Sequence, residues 1–291
     1  MSRRAPGGVV AGALSAGVVL SALVGACGGS APAAWRGSPV SVVRASADRT
    51  IAAGSARVSV TLAQDTAGTG VSGTGLVDWA AGDAELAAGR TGAAAARDDR
   101  FTVVVDGGRD YVSATSGRGA GGVPGTSAAR PWLAGTPGAV ATAAHARISP
   151  LDTLLMRPGA ATDVAFLRGT VDALPYGGQE VDGVSTFRYS VHIDLALAAS
   201  SSPPSQRPAL EAAAAAIGPV RWPADVWIDQ HGRVVRIELA EDPQLHTTTT
   251  RANLFITDDG NPLALTDLVF SDFGVPAKIS LPSPDQVVEA Q

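Results

Sequence analysis

Polar and apolar residues alternate with a period of two along much of this chain, most clearly from Thr186 to Leu195. Phe187, Tyr189, Val191, Ile193 and Leu195 share one face; Thr186, Arg188, Ser190, His192 and Asp194 share the other. One apolar face and one wet face predict a strand of an antiparallel sheet covered on a single side. Val58, Val60 and Leu62 alternate in the same way with Arg57, Ser59 and Thr61. Phe101, Val103 and Val105 lead through Asp106-Gly107-Gly108 into Tyr111-Val112, which reads as a hairpin. A second hairpin joins Ala224–Ile228 to Arg233–Leu239 through Asp229-Gln230-His231-Gly232, with Val235, Ile237 and Leu239 on one face and Val234, Arg236 and Glu238 on the other. Residues 247–256 and 263–270 form another strand pair around Asp258-Asp259-Gly260-Asn261.

Helical periodicity is rarer. Val43, Ala47 and Ile51 recur at i, i+4, i+8 within 41–53, and Gly54 ends that segment. Ser149-Pro150-Leu151-Asp152 carries an N-cap and a first-turn proline ahead of Leu154 and Leu155. Leu210, Ala213, Ala214 and Ile217 form a stripe within 205–217, stopped by Gly218. The glycine-rich stretch 113–131 reads as a loop. One-sided strands with few helices predict an α+β fold: a curved, largely antiparallel β-sheet, with α-helices over the apolar face.

The first 26 residues follow a different pattern. A basic start, Met1-Ser2-Arg3-Arg4, precedes an apolar run without charge from Val9 to Val24, then Gly25-Ala26 and Cys27, the single cysteine. This order matches a secretory signal peptide. The run is about 16 residues, short of the roughly 17–25 of a membrane-spanning helix. Small residues followed at once by cysteine resemble the bacterial lipobox, in which the thiol receives a diacylglyceryl group and cleavage leaves the cysteine as the new N-terminus. Cys27 is therefore the expected lipid attachment site. Two acyl chains, such as palmitate, anchor stably where one is marginal. The expected organisation is a lipoprotein signal peptide over 1–26, the lipidated cysteine and a flexible stalk over 27–41, a single domain over 42–285, and a tail over 286–291. The expected location is the extracytoplasmic face of the cell membrane.

Charge narrows the partners. Removing residues 1–26 takes away two of the 22 basic residues and none of the 27 acidic ones, which moves the formal net charge from −5 to −7. An acidic chain disfavours nucleic acid, which needs a basic face. All basic residues but Lys278 are arginine, and alanine and glycine are abundant; this composition points to a GC-rich genome of the actinobacterial kind.

Catalytic constellations are missing from the sequence. Gly68-Gly70-Gly73 and Gly117-Gly119-Gly122 match G-x-G-x-x-G, but neither opens a helix after a strand, as phosphate cradling requires. There is no G-x-S-x-G elbow, H-E-x-x-H or Ser-x-x-Lys. His145, His192, His231 and His246 are scattered, and Asp258-Asp259-Gly260-Asn261 lacks the alternate carboxylates of a calcium loop. No catalytic residue, metal site or cofactor is expected, and the chain is not expected to be an enzyme.

Several segments together resemble the LppX/LprAFG family of actinobacterial lipoproteins, similar in fold to the LolA/LolB lipoprotein carriers. They are Cys27 in its lipobox, Gly178-Gln179-Glu180-Val181-Asp182-Gly183-Val184-Ser185-Thr186, Pro223-Ala224-Asp225-Val226-Trp227-Ile228-Asp229, Gly232-Arg233-Val234-Val235-Arg236 and Phe270-Ser271-Asp272-Phe273-Gly274. The likeness covers roughly 42–285. It implies a half-barrel of strands wrapped around helices, with a hydrophobic cavity for acylated lipids in some members. The candidate cavity residues are Phe187, Tyr189, Val191, Ile193, Leu195, Val235, Ile237, Leu239, Leu210 and Ile217. Small side chains fill a concave sheet poorly, and apolar voids take apolar ligands. The expected function is a membrane-anchored lipoprotein that binds or carries a lipid, lipoglycan or other apolar ligand. The alternative is an envelope lipoprotein with a closed core that binds or scaffolds through its surface, with Trp132 or Trp227 as contacts.

Overall fold

In the computed structural model, the described residues are 32–63, 70–91, 100–116, 119–120, 123, 125–136, 139–140, 143, 162–240 and 265–290. Cys27, the 149–155 helix, the 247–256 strand and the Asp258–Asn261 turn lie outside them. Pro32–Gln291 forms one compact unit.

The period-two segments pair into one curled sheet of thirteen strands, as the α+β reading expected. Its strands are β1 (Ser55–Ala63), β2 (Gly70–Asp78), β3 (Asp83–Thr91), β4 (Arg100–Asp106), β5 (Arg109–Ser116), β6 (Gly119–Ala120), β7 (Trp132–Gly135), β8 (Thr170–Val181), β9 (Val184–Asp194), β10 (Arg221–Asp229), β11 (Val234–Ala240), β12 (Leu265–Ser271) and β13 (Val287–Glu289). The spatial order is β13-β7-β5-β4-β3-β2-β1-β12-β11-β10-β9-β8, with β6 beside β5. The pairs are antiparallel except β13 on β7. The α-helices with described bounds are α1 (Pro39–Ile51), α2 (Thr162–Ala165), α3 (Leu195–Ser200) and α4 (Arg207–Ile217).

Register puts one apolar row across the whole sheet. Tyr189 faces Val226, then Ile237, Leu268, Val60, Gly73, Ala88 and Phe101 in turn. This inner face packs on α1, whose Val42, Val43 and Ala47 are buried in the same cluster. Each large apolar side chain so buried contributes about 1.5–3 kcal/mol. Ser38 caps α1 by accepting from Ser41 N at 3.2 Å, with Pro39 in the first turn.

Two glycines explain the curl. A Cβ on Gly75 would lie 2.0 Å from the Glu85 carbonyl oxygen, and one on Gly73 would lie 2.6 Å from Ala88 Cβ. Side chains there would push β2 and β3 apart; glycine lets the two strands approach closely as the sheet curls.

Several sequence expectations need correction. Leu195 is not the last residue of β9. Asp194 turns the chain by accepting from Leu197 N at 3.0 Å, and Leu195 opens α3, though it stays buried in the inner cluster. Val235 does not share a face with Ile237 and Leu239. A bulge opposite Trp227/Ile228 adds one residue to β11, so Val234 joins the inner core and Val235 packs outside with Val181 and Trp227. The amide the bulge frees from the ladder, Val234 N, donates to Thr50 Oγ1 on α1 at 2.8 Å. Part of the 113–131 stretch is strand, in β5 and β6. The segment read as stalk is already packed at Trp35, and the segment read as tail adds β13 to the sheet edge.

Gly75→Val should lower the urea midpoint by an amount equivalent to about 2–3 kcal/mol or more, because overpacking here meets backbone. Gly178→Ala, whose Cβ would meet only Thr186 O at 3.9 Å, should be close to neutral. Equal losses in the two variants would refute close strand approach as the role of Gly75.

Candidate functional site

The inner face holds most of the predicted cavity residues. Tyr189, Val191, Ile193, Ile237, Leu239 and Leu210 are all buried in a single cluster with α1. Phe187 borders it, half-buried, with its ring 5.6 Å from Trp35 and 5.2 Å from Tyr189. Burial pushes the Tyr189 phenol above its ordinary pKa, so it stays neutral. Val235 lies on the other face, and the side chain of Ile217 is outside the described residues. These six side chains therefore meet one another across β9–β11 and α4.

On β2–β5 the same face is unevenly covered: Val77, Ala84, Leu86, Ala88, Val103 and Val105 are buried. Val71, Gly73, Gly75, Phe101 and Val112 occupy inner-face register positions and are only half-buried. Sequence reasoning missed this part of the face. Its signal was the small residues Gly73, Gly75 and Ala88, of which only Gly73 was singled out above, in a G-x-G-x-x-G match. Among the described residues, two surface grooves lie on the helices. One, of about 530 Å³, runs along α1 beside Arg44, Asp48 and Arg168; the other, of about 390 Å³, lies between α3 and α4.

The outer face carries charge. Arg188, Trp227 and Arg236 lie opposite one another in one row. The next row runs Ser190, Asp225, Glu238 and Asp267. Arg188 pairs with Asp225, with side chains 8% and 5% exposed. Arg236 donates to Asp267 at 2.9 and 3.1 Å and also meets Glu238. The guanidinium carbons of Arg188 and Arg236 lie 5.1 and 4.9 Å from the Trp227 ring centroid, and Trp227 Nε1 donates to Gln179 Oε1 at 2.8 Å. Trp227 is thus a buried cross-strand packing residue. Burial pushes the Glu238 carboxyl above its ordinary pKa; Asp267 and Asp225 push the same way, against Arg236.

Of the four histidines, His192 and His231 are described, and they lie apart. His192 is exposed on the outer face, 2.7 Å from Asp172, and His231 sits in the turn that Asp229 organises. Among the described residues, no group of His, Cys, Asp or Glu is placed to hold a metal ion. Among them, too, no helix is long and apolar enough to cross a membrane.

These features define a one-sheet, helix-filled fold with an apolar inner face that is incompletely covered at one end. Two crystal structures similar to it carry names from the family that the sequence resembles. They are lipoprotein LppX of Mycobacterium tuberculosis (16% identity, 82% of this chain and 99% of that one, TM-score 0.41) and LprF of Mycobacterium bovis (15%, 85% and 100%, 0.42). A third is a putative outer membrane lipoprotein-sorting protein domain from Vibrio parahaemolyticus (10%, 82% and 94%, 0.29). No family model matches the sequence, and no curated protein matches it.

Two outcomes test the outer-face network. Arg188→Met leaves Asp225 as a buried lone charge and should cost about 3–5 kcal/mol, whereas Arg188→Met/Asp225→Leu should cost clearly less. A double variant as unstable as the single one, in urea unfolding, counts against a buried ion pair. Glu238 binds its proton more tightly folded than unfolded, so its charge costs stability once pH rises above the ordinary glutamate range, and costs nothing below it. Glu238→Gln should accordingly raise the urea midpoint at neutral pH, with the gain shrinking toward about pH 4. A gain that does not change with pH would show that the carboxyl is unperturbed.

Proposed function

We propose that this protein is a membrane-anchored lipoprotein, held through Cys27 on the outer face of the cytoplasmic membrane, that binds or carries a lipid or other apolar ligand. The observation that carries this reading is the combination of a lipobox cysteine with a patch of the apolar sheet face, at Val71, Gly73, Gly75, Phe101 and Val112, that is only half-buried. The ligand surface moves accordingly. The core of Tyr189, Val191, Ile193, Ile237, Leu239 and Leu210 supports the fold, and acyl chains lie along Val71, Gly73, Phe101 and Val112. Apolar ligands suit such a surface, since few polar groups there require a partner.

A second reading keeps the lipid anchor but has no carried ligand: an envelope lipoprotein that binds or scaffolds through its surface. The tight contact among the six candidate residues favours it.

Native mass spectrometry on residues 28–291, purified without detergent from an actinobacterial host, separates the two. The carrier reading expects a stoichiometric adduct of lipid mass, lost in the folded variants Val71→Gln and Val112→Gln. A clean apoprotein mass, unchanged after incubation with envelope lipid extract, would overturn it in favour of the surface-binding lipoprotein.

A further inference from the structure

Chain order fixes how far the folded body stands from Cys27. Residues are described from Pro32 onward. Trp35 is pinned three residues later: its Nε1 donates to Asp229 O at 2.8 Å, and its ring packs on Phe187. Arg49 Nη1 donates to Ala34 O at 3.3 Å beside the same turn, where a Cβ on Gly232 would meet the Arg49 guanidinium at 2.4 Å. Five residue steps separate Cys27 from Pro32 and span at most about 18 Å when fully extended. The headgroup layer, roughly 5–8 Å deep on each side of a bilayer, takes up part of that reach.

The entry point lies at one end of the sheet. Asp229 ends β10, opposite Thr186 near the start of β9 and next to the β8–β9 turn at Asp182-Gly183. Val184, 41% exposed, presents an apolar side chain in that turn. Arg36 and Arg49 are exposed there and offset the exposed Glu180 and Asp182. Across the sheet at the same end, the β2–β3 and β4–β5 turns gather Asp78, Asp83 and Asp106, close enough that the Asp106 and Asp78 carboxylates add to burial in raising the pKa of Asp83. That half repels an anionic lipid surface; the entry half does not.

We propose that the entry half of this end, formed by the β8–β9 and β10–β11 turns with Trp35 beneath them, rests on the bilayer surface. The acidic turns tilt away and the far end of the sheet points outward. The proposal rests on the lipid anchor at Cys27 and adds an orientation that the anchor alone does not fix.

The test uses the lipidated full chain on vesicles of phosphatidylethanolamine and phosphatidylglycerol carrying a headgroup acceptor dye. Acylation consumes Cys27, so a thiol introduced at Ser185, Ala81 or Arg221 takes the only donor label. All three positions are exposed. Ser185 and Arg221 lie at opposite ends of adjacent strands, about 30 Å apart for nine residues of strand. Energy transfer to the bilayer should be several-fold higher from Ser185 than from Arg221, with Ala81 between them. A long Gly-Ser insertion after Gly29 should level the three. Lipidated protein with equal transfer from Ser185 and Arg221, or with the order reversed, overturns the orientation alone. Mass spectrometry showing an unmodified Cys27 overturns the anchor, and the orientation with it.

Discussion

The constraint on which this structure depends is the need to keep one apolar sheet face dry, with α1 the longest helix among the described residues. Twelve strands in sequence across a sheet, about 4.8 Å apart, would make a flat surface roughly 50 Å wide. A helix is about 10 Å across, so α1 covers only a strip of such a surface. The sheet therefore curls, so that strands far apart in order approach the same helix. Curling needs close strand approach on the inner side, and Gly73 and Gly75 provide it where any side chain would strike the neighbouring backbone. The bulge in β11 belongs to the same arrangement: it bends the strand around α1, and Thr50 accepts the hydrogen bond of the amide it releases.

The alternation rule made the fold legible because it reports a physical asymmetry, dry on one side and wet on the other. Phe187 to Ile193 and Val58 to Leu62 fall where their period puts them. The rule failed where a local hydrogen bond broke the period. At Leu195 the Asp194 carboxylate begins a helix while the apolar pattern continues. At Val234-Val235 two adjacent apolar residues mark a bulge, and a strict period of two chose the wrong valine. Tail pairing was illegible for another reason: Val287–Glu289 has no partner in its own neighbourhood, and β7 lies far away in sequence. The candidate site was half legible. Its apolar residues were named, but sequence hydrophobicity could not separate a core that closes from a surface left open, because that depends on which strands the helices reach.

Outside the sheet, the alternation of an Arg–Trp–Arg row with a Ser–Asp–Glu–Asp row has a structural consequence. Like charges directly opposite on neighbouring strands are unfavourable, and Asp225, Glu238 and Asp267 are opposed in this way. The arrangement holds because each anion looks diagonally toward an arginine in the adjacent row. A slip of one residue in β9 or β11 would put Arg188 or Arg236 against the apolar core. The charges therefore penalise wrong registers more than they stabilise the right one, which suits a wide sheet whose many strands must all pair correctly.

The same asymmetry bears on how a lipid could enter. The half of the sheet over β8–β11 is filled, tied to α1, and continuous with the point where the chain comes in from Cys27. The half over β2–β5 has a patch, at Val71, Gly73, Gly75, Phe101 and Val112, that is only half-buried. In the proposed reading the two halves divide the work: the filled half fixes the body to its tether, and the open half offers apolar surface. A short reach does not hinder such a protein, because an acyl chain leaving a bilayer loses about 0.8 kcal/mol of burial per methylene until it is covered again. A receiving surface held close to the membrane shortens that exposed passage, whereas a long stalk would lengthen it.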